Sequence, residues 1–202
     1  KALVLLLLDK SESVQENAAG ALLTLTLDAE NRVQIREDKG LIYLSQLLDS
    51  RNEFVLENAV SALKNCAAND KNIAILGSEL KIIPTLIQLL SNQNENIVRE
   101  AALCLKNLAM SDDNSVTIGK NKGLESLLRI INNSKSDALR KVAAFTIQAL
   151  AKNRMYFHHA WHHLHPITTH VRRVPRLIVS IVSFLCIHLS PTAQNIKILE
   201  NL

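Results

Sequence analysis

A repeated helical pattern organises most of this 202-residue sequence. Four similar segments follow one another at intervals of 41, 42 and 42 residues, and they begin at Val14, Val55, Ile97 and Leu139. In each segment, small or apolar residues recur at positions i, i+4 and i+8, and the middle position is always alanine. Residues spaced by four lie on one face of an α-helix, and alanine lets a neighbouring helix approach closely. The pattern therefore predicts four equivalent helices that pack side by side.

Two more helices are predicted upstream of each of these segments. The longer one carries paired apolar residues, at Leu44 and Leu47, Leu86 and Leu89, and Leu127 and Ile130. A shorter one covers residues 31–35, 72–76 and 114–118. Gly40 and Gly123 stand where the short helix meets the longer one, and we expect a left-handed residue to end the short helix there. One repeat carries Pro84 instead, a residue tolerated in a first helical turn.

Three helices in about 40 residues is the unit of the armadillo repeat. Residues 1–152 resemble the armadillo repeat family, with a partial repeat at 1–27 and complete repeats at 28–69, 70–110 and 111–152. The resemblance implies an all-α fold, in which three-helix repeats of 41–42 residues stack into a right-handed α-solenoid and the third helices line a concave groove. Such a groove binds other molecules and requires no catalytic chemistry, so we expect a protein-interaction scaffold and no enzyme.

The resemblance also indicates where a partner would bind. Armadillo proteins that hold extended peptides carry a tryptophan and, four residues later, an asparagine on the third helix. Here the asparagine positions are filled by Thr24, Asn65, Asn107 and Ala149, and the tryptophan positions by Gly20, Ser61, Leu103 and Phe145. An asparagine amide can pair with both the donor and the acceptor of a peptide backbone. The expected partner-binding residues are therefore Asn65, Asn107, their neighbours Lys64 and Lys106, and Ser61 and Leu103. The alternative is that the two asparagines only bridge the ends of adjacent helices.

The charges of this region select among classes of partner. Residues 1–152 hold 18 basic and 18 acidic residues, so the net charge of +4 comes entirely from the rest of the chain. Because no tryptophan occupies the groove positions and Lys64 and Lys106 lie beside the asparagines, a lysine-rich import signal is a poor ligand. We expect an extended protein segment of acidic or mixed charge, with no nucleic acid, small-molecule substrate, cofactor or metal.

Residues 153–202 do not continue the repeat. This tail holds all seven histidines, five basic residues and one acidic residue, and its abrupt change of composition resembles an alternative C-terminus joined to a shortened array, or a gene model read through non-coding sequence. Three roles stay open for it. The tail caps the last repeat, or its basic and apolar stretch 172–189 contacts a membrane as part of an adaptor, or His158, His159, His162, His163 and His165 bind zinc.

The cysteines suggest a compartment. Cys66, Cys104 and Cys186 are odd in number and lack the spacing of a zinc site, which favours reduced thiols over disulfides. Cys66 and Cys104 fall inside predicted packed helices, where we expect them to serve as small core residues. A cytoplasmic protein is expected, with the nucleus as the alternative.

Overall fold

The computed structural model describes residues 1–152, which form eleven α-helices and no strand. A 3-10 turn, Leu47–Asp49, extends the fourth helix, and a π-helical turn, Ile75–Glu79, extends the sixth. The helices are α1 (Ala2–Leu6), α2 (Glu12–Leu25), α3 (Ala29–Glu37), α4 (Gly40–Gln46), α5 (Glu53–Cys66), α6 (Asp70–Ala74), α7 (Ile83–Leu89), α8 (Glu95–Leu108), α9 (Asp112–Lys120), α10 (Gly123–Asn133) and α11 (Asp137–Ala151).

The four longest helices stack side by side and form the spine of the molecule. We call α2, α5, α8 and α11 the ladder helices, because α2 packs on α5, α5 on α8, and α8 on α11. Helices α1, α4, α7 and α10 each pack on the ladder helix that follows them in sequence. The short helices fill the remaining side, where α3 contacts α4, α6 contacts α8, and α9 contacts α7, α8 and α10. The main contacts therefore lie within a repeat or between consecutive repeats.

The predicted alanine positions lie at the centre of this packing. All four are at most 2% exposed, at Ala18, Ala59, Ala101 and Ala143. With no side chain beyond Cβ, each allows close contact between neighbouring ladder helices. This burial confirms the prediction of four equivalent packed helices. The apolar core runs without interruption from Val4 to Leu150, and the repeat limits at residues 28, 70 and 111 stay predictions.

The junctions before the longer helices differ from our expectation. Their left-handed residues are the lysines Lys39, Lys81 and Lys122, with φ of 66°, 53° and 62°, and not the glycines that follow two of them. Gly40 and Gly123 are required for another reason, which is a lack of space. A Cβ on Gly123 would lie 2.5 Å from Cγ2 of Ile118 and 2.9 Å from its carbonyl oxygen, and Gly40 meets Ile35 in the same way.

One repeat contains an extra residue, which the π-helical turn absorbs. Five positions separate Leu76 from the left-handed Lys81, whereas four separate Ile118 from Lys122. In this turn the backbone N–H of Leu80 donates to the oxygen of Ile75, which lies five residues earlier. A π-helical turn is the usual structural result of a one-residue insertion in a helix. Pro84 lies in the first turn of α7, as predicted.

The hypotheses about the tail fall on residues 153–202, which lie outside the described part of the chain. These are the cap, the zinc-binding histidines and the membrane-contacting stretch 172–189. Within residues 1–152, no group of three or more His, Cys, Asp or Glu side chains is placed to hold a metal ion. In the same range no single helix could cross a membrane, although one pair bent by 87°, Asp70–Glu79 with Ile83–Leu89, passes a test of length and composition.

Candidate partner-binding surface

The solvent-facing side of the ladder helices, which we call the ladder surface, carries five of the six predicted binding residues, and the sixth, Ser61, is buried. The ladder helices run in the same direction, because side chains near their N-terminal ends bond to one another and so do groups near their C-terminal ends. Each ladder helix begins with an exposed acidic residue in its first turn, at Glu12, Glu53, Glu95 and Asp137. Acidic groups at this position are stabilised by the positive end of the helix dipole.

Asparagine N-caps join the N-terminal ends of the ladder helices. Asn52 accepts hydrogen bonds from the backbone N–H groups of the first turn of α5, and its Nδ2 donates to Oε2 of Glu12, 3.2 Å away on α2. Asn94 caps α8 and donates to the carboxylates of Glu53 and Glu57, at 3.3 and 3.4 Å. A cap satisfies N–H groups that a helix leaves unpaired, and here the same side chain also sets the register between helices.

Asn65 and Asn107 join the C-terminal ends. Nδ2 of Asn65 donates to Oγ1 of Thr26 at 3.0 Å, and Nδ2 of Asn107 donates to the backbone oxygen of Lys64 at 3.0 Å. Both side chains are only half-buried. Each amide has two N–H groups and one oxygen. Among residues 1–152, each amide has a single hydrogen-bond partner, so one N–H and the oxygen stay available to a ligand.

The four positions that correspond to tryptophan in peptide-binding armadillo proteins form a row of uncharged residues, which differ in size and in exposure. Ser61 is buried at 7% exposure, Leu103 is half-buried, and Phe145 is 56% exposed. Gly20 ends the row on α2, where a Cβ would meet Nδ2 of Asn58 at 3.3 Å. The row therefore widens from small residues on α2 and α5 to larger apolar ones on α8 and α11.

The two predicted lysines have different surroundings. Nζ of Lys64 lies 2.8 Å from Oε2 of Glu100 on the next ladder helix, and Nε of Arg99 lies 3.1 Å from Oε1 of the same carboxylate. Glu100 is 8% exposed. Lys106 is half-buried and has no ion pair with another residue in the range 1–152. Glu100 and Arg99 were not predicted from the sequence, because one acidic and one basic residue next to each other are usually an exposed pair.

A second set of asparagines, also not assigned from the sequence, is structural. Asn72 is fully buried, and its Nδ2 donates to the backbone oxygens of Arg32 at 3.3 Å and Cys66 at 3.1 Å, while its Oδ1 accepts from Arg36 at 3.1 Å. Asn114 donates in the same way to the oxygens of Ile73 and Leu108. Asparagine recurs at the start of each predicted short helix, and this recurrence could have indicated the structural role of these residues from the sequence. These amides hold consecutive repeats together from inside.

The two described cysteines are free and buried, as predicted. Burial raises the pKa of the Cys66 thiol to about 12, because the thiolate would lose its hydration. The pKa of Cys104 is raised further for the same reason, with the neighbouring Cys66 adding to the effect. Both are therefore protonated core groups without nucleophilic character at neutral pH.

A family model described as the armadillo/beta-catenin-like repeat matches residues 69–110, which include α8 and the Lys64-facing Glu100. The chain contains an armadillo-repeat segment. Solved structures extend this likeness beyond the single repeat. A designed armadillo repeat protein aligns with a TM-score of 0.79 at 21% identity, over 99% of this chain and 86% of its own. An engineered protein solved by a structural genomics consortium aligns with a TM-score of 0.73 at 25% identity, over 97% of this chain and 74% of its own.

A third structure is a computationally designed armadillo repeat protein for modular peptide recognition. It aligns with a TM-score of 0.68 at 29% identity, over 73% of this chain and 62% of its own. A sequence search of curated proteins finds no match to this chain. The likeness to the solved structures confirms the all-α solenoid of the armadillo type that was predicted from the helical repeat.

Proposed function

We propose that the armadillo segment is a non-enzymatic scaffold that binds an extended segment of a partner protein along the ladder surface. The fold supports a protein-binding role, and one designed armadillo protein of similar structure was made for peptide recognition. Extended peptides bind in this manner when main-chain hydrogen bonds supply affinity and side-chain contacts supply specificity.

The observation that carries the proposal is the state of Asn65 and Asn107. Each amide is fixed by one hydrogen bond to the preceding ladder helix and keeps one N–H and one oxygen at a half-buried position. A peptide unit presents one C=O and one N–H, which is the complementary pair. Because the fixing bond removes rotational freedom before binding, little side-chain entropy is lost when the peptide arrives. Bridging the helices and binding a partner are therefore compatible roles for the same side chain.

The charges and the apolar row define the class of partner that we propose. Lys106 favours an acidic side chain, the exposed acidic first turns favour basic ones, and Leu103 and Phe145 favour apolar ones. We therefore propose an acidic or mixed protein segment, and neither nucleic acid nor a small-molecule substrate. The buried, protonated thiols of Cys66 and Cys104 agree with the cytoplasm or nucleus, which we propose as the location.

The test compares variants of the full chain in affinity capture. Asn65→Ala with Asn107→Ala should abolish capture of partners that the wild type retains, because both fixed amides are lost. The matched control is Asn58→Ala, since Nδ2 of Asn58 also bonds across the ladder, to the backbone oxygen of Glu16 at 3.3 Å. Far-UV circular dichroism confirms that each variant is folded. Equal capture by the wild type and the double variant would contradict the proposal.

A further inference from the structure

Glu100 occupies an unusual position for a charged residue on a binding surface. Its carboxylate lies at the interface of α5 and α8, and its side chain is 10% exposed. Oε1 accepts a hydrogen bond from Nε of Arg99 at 3.1 Å. Oε2 is buried and lies 2.8 Å from Nζ of Lys64, where the contact is an ion pair without hydrogen-bond geometry. The side chain of Lys64 is 24% exposed and that of Arg99 is 43% exposed. The ammonium group of the half-buried Lys64 is therefore already paired with a carboxylate of the next ladder helix.

We propose that Glu100 determines which ladder lysine binds an acidic side chain of the partner segment: Glu100 occupies Lys64, and the acidic side chain contacts Lys106. This inference rests on the proposed function and specifies the charge register of the bound segment. Lys64 and Lys106 hold equivalent positions on adjacent ladder helices, 42 residues apart, so the sequence alone treats them as alike. The structure distinguishes them, because Lys106 forms no ion pair with another residue of 1–152.

Glu100 and an acidic side chain of the partner compete for Lys64. A carboxylate from a partner can displace Glu100 from Lys64, or it can lie beside Glu100 at the same ammonium. Displacement is opposed because Glu100 is attached to the same molecule and has a high effective concentration there, and a position beside Glu100 is opposed by its negative charge. Displacement would also leave the buried Glu100 carboxylate with fewer partners, and a buried charge that loses its partner is strongly destabilising. Neither cost arises at Lys106. An acidic side chain is therefore rejected between α5 and α8 and accepted one helix further along.

The inference predicts that neutralising Glu100 adds a second anion-binding position. In the full chain, Glu100→Gln should bind a fluorescein-labelled peptide of alternating serine and glutamate between about threefold and tenfold more tightly than wild type, the range for a partly desolvated charge pair. The control is Glu95→Gln, which changes the net charge equally on the same helix at an exposed residue outside the pair. The double variant Lys64→Met with Glu100→Gln should lose this gain in affinity. The single variant Lys106→Met should bind the peptide more weakly than wild type does.

The outcomes separate the inference from the proposed function. If wild type binds the peptide and Glu100→Gln gains no more than Glu95→Gln, the inference is wrong and the scaffold proposal stands. A control peptide of alternating serine and lysine is measured in parallel. If Lys106→Met loses as much affinity for this basic peptide as for the acidic one, the loss is structural and the inference is also wrong. If neither wild type nor any variant binds either peptide, both the proposed function and this inference fail. Fluorescence anisotropy at low salt measures all of these affinities.

Discussion

Replacing Gly123 by alanine should destabilise the solenoid, although alanine is the better helix former. The added Cβ would lie 2.5 Å from Cγ2 of Ile118, 2.9 Å from its carbonyl oxygen and 3.3 Å from Cδ1 of Ile87. The preferred separation of carbon atoms is about 3.5–4.0 Å. Ile118 is β-branched and sits in a helix, so its χ1 angle is nearly fixed, and its carbonyl belongs to the backbone. Relief of the contact therefore requires the start of α10 to move.

The magnitude follows from two opposing terms. Forcing an extra carbon into a closely packed site costs about 1–3 kcal/mol. Alanine in place of glycine in a helix returns about 0.5–1 kcal/mol. The difference between these ranges is about 0–2.5 kcal/mol, and because one of the crowded atoms is a backbone oxygen we expect a net loss of about 1–2 kcal/mol in the free energy of unfolding. With a urea m-value of about 2 kcal/mol/M, the unfolding midpoint should fall by roughly 0.5–1 M.

The assay is urea unfolding followed by far-UV circular dichroism, with Gly20→Ala as the matched control. Gly20 lies inside α2, and its added Cβ would meet the end of the Asn58 side chain at 3.3 Å, which has to shift by only a few tenths of an ångström against its hydrogen bond to Glu16 and involves no backbone atom. That variant should be as stable as wild type or more stable by up to about 1 kcal/mol. A Gly123→Ala protein that unfolds at the same urea concentration as Gly20→Ala would refute the steric reasoning.

Two further predictions concern the interior. Asn72→Ala should lower the free energy of unfolding by about 2–4 kcal/mol, because the backbone oxygens of Arg32 and Cys66 and the Arg36 guanidinium each lose one hydrogen bond to a fully buried side chain. Asn58→Ala, which loses one hydrogen bond, should cost under about 1 kcal/mol. Thermal melting of both variants measures the two losses, and equal losses would contradict this expectation. The buried thiols predict alkaline sensitivity, since a folded-state pKa of about 12 for Cys66 against an ordinary value of 9.0 means that unfolding releases a proton between these values. Stability should be unaffected by this thiol below pH 9 and fall above it by about 1.4 kcal/mol per pH unit, and Cys66→Ala should show a shallower decline in urea unfolding at several pH values. If the free energy of unfolding falls equally steeply with pH in wild type and in Cys66→Ala, the pKa of this thiol is not raised by folding.

The sequence predicted those features that recur along the chain. The alanine positions and the order of helices follow from periodicity, because a buried helix face repeats its small and apolar residues wherever the same packing repeats. The lysines in the left-handed conformation were not predicted, since local preference points to the adjacent glycines. Their φ values depend on where the short helix must end so that Gly40 and Gly123 fit against Ile35 and Ile118.

The site was predicted less completely, for a physical reason. The hydrogen bonds of Asn65 and Asn107, and those of Asn72 with Arg32 and Arg36, join groups 36 to 43 residues apart, so no local pattern specifies these partners. The sequence therefore posed bridging and binding as alternatives for Asn65 and Asn107, whereas the geometry leaves room for both. The difference between Lys64 and Lys106 arises from Glu100, whose burial depends on the approach of α5 and α8.

The π-helical turn at Ile75–Glu79 has a consequence for how such arrays can vary. Helices α5 and α8 are each positioned by bonds to the preceding ladder helix at the cap, in the middle and near the end, so their placement does not depend on the chain length that precedes them. The extra residue bulges locally, and the next ladder helix still begins at its cap asparagine, Asn94. An insertion therefore changes the length of the polypeptide without changing the spacing of the contacts offered to a ligand, and binding positions can be conserved in space while their sequence intervals drift.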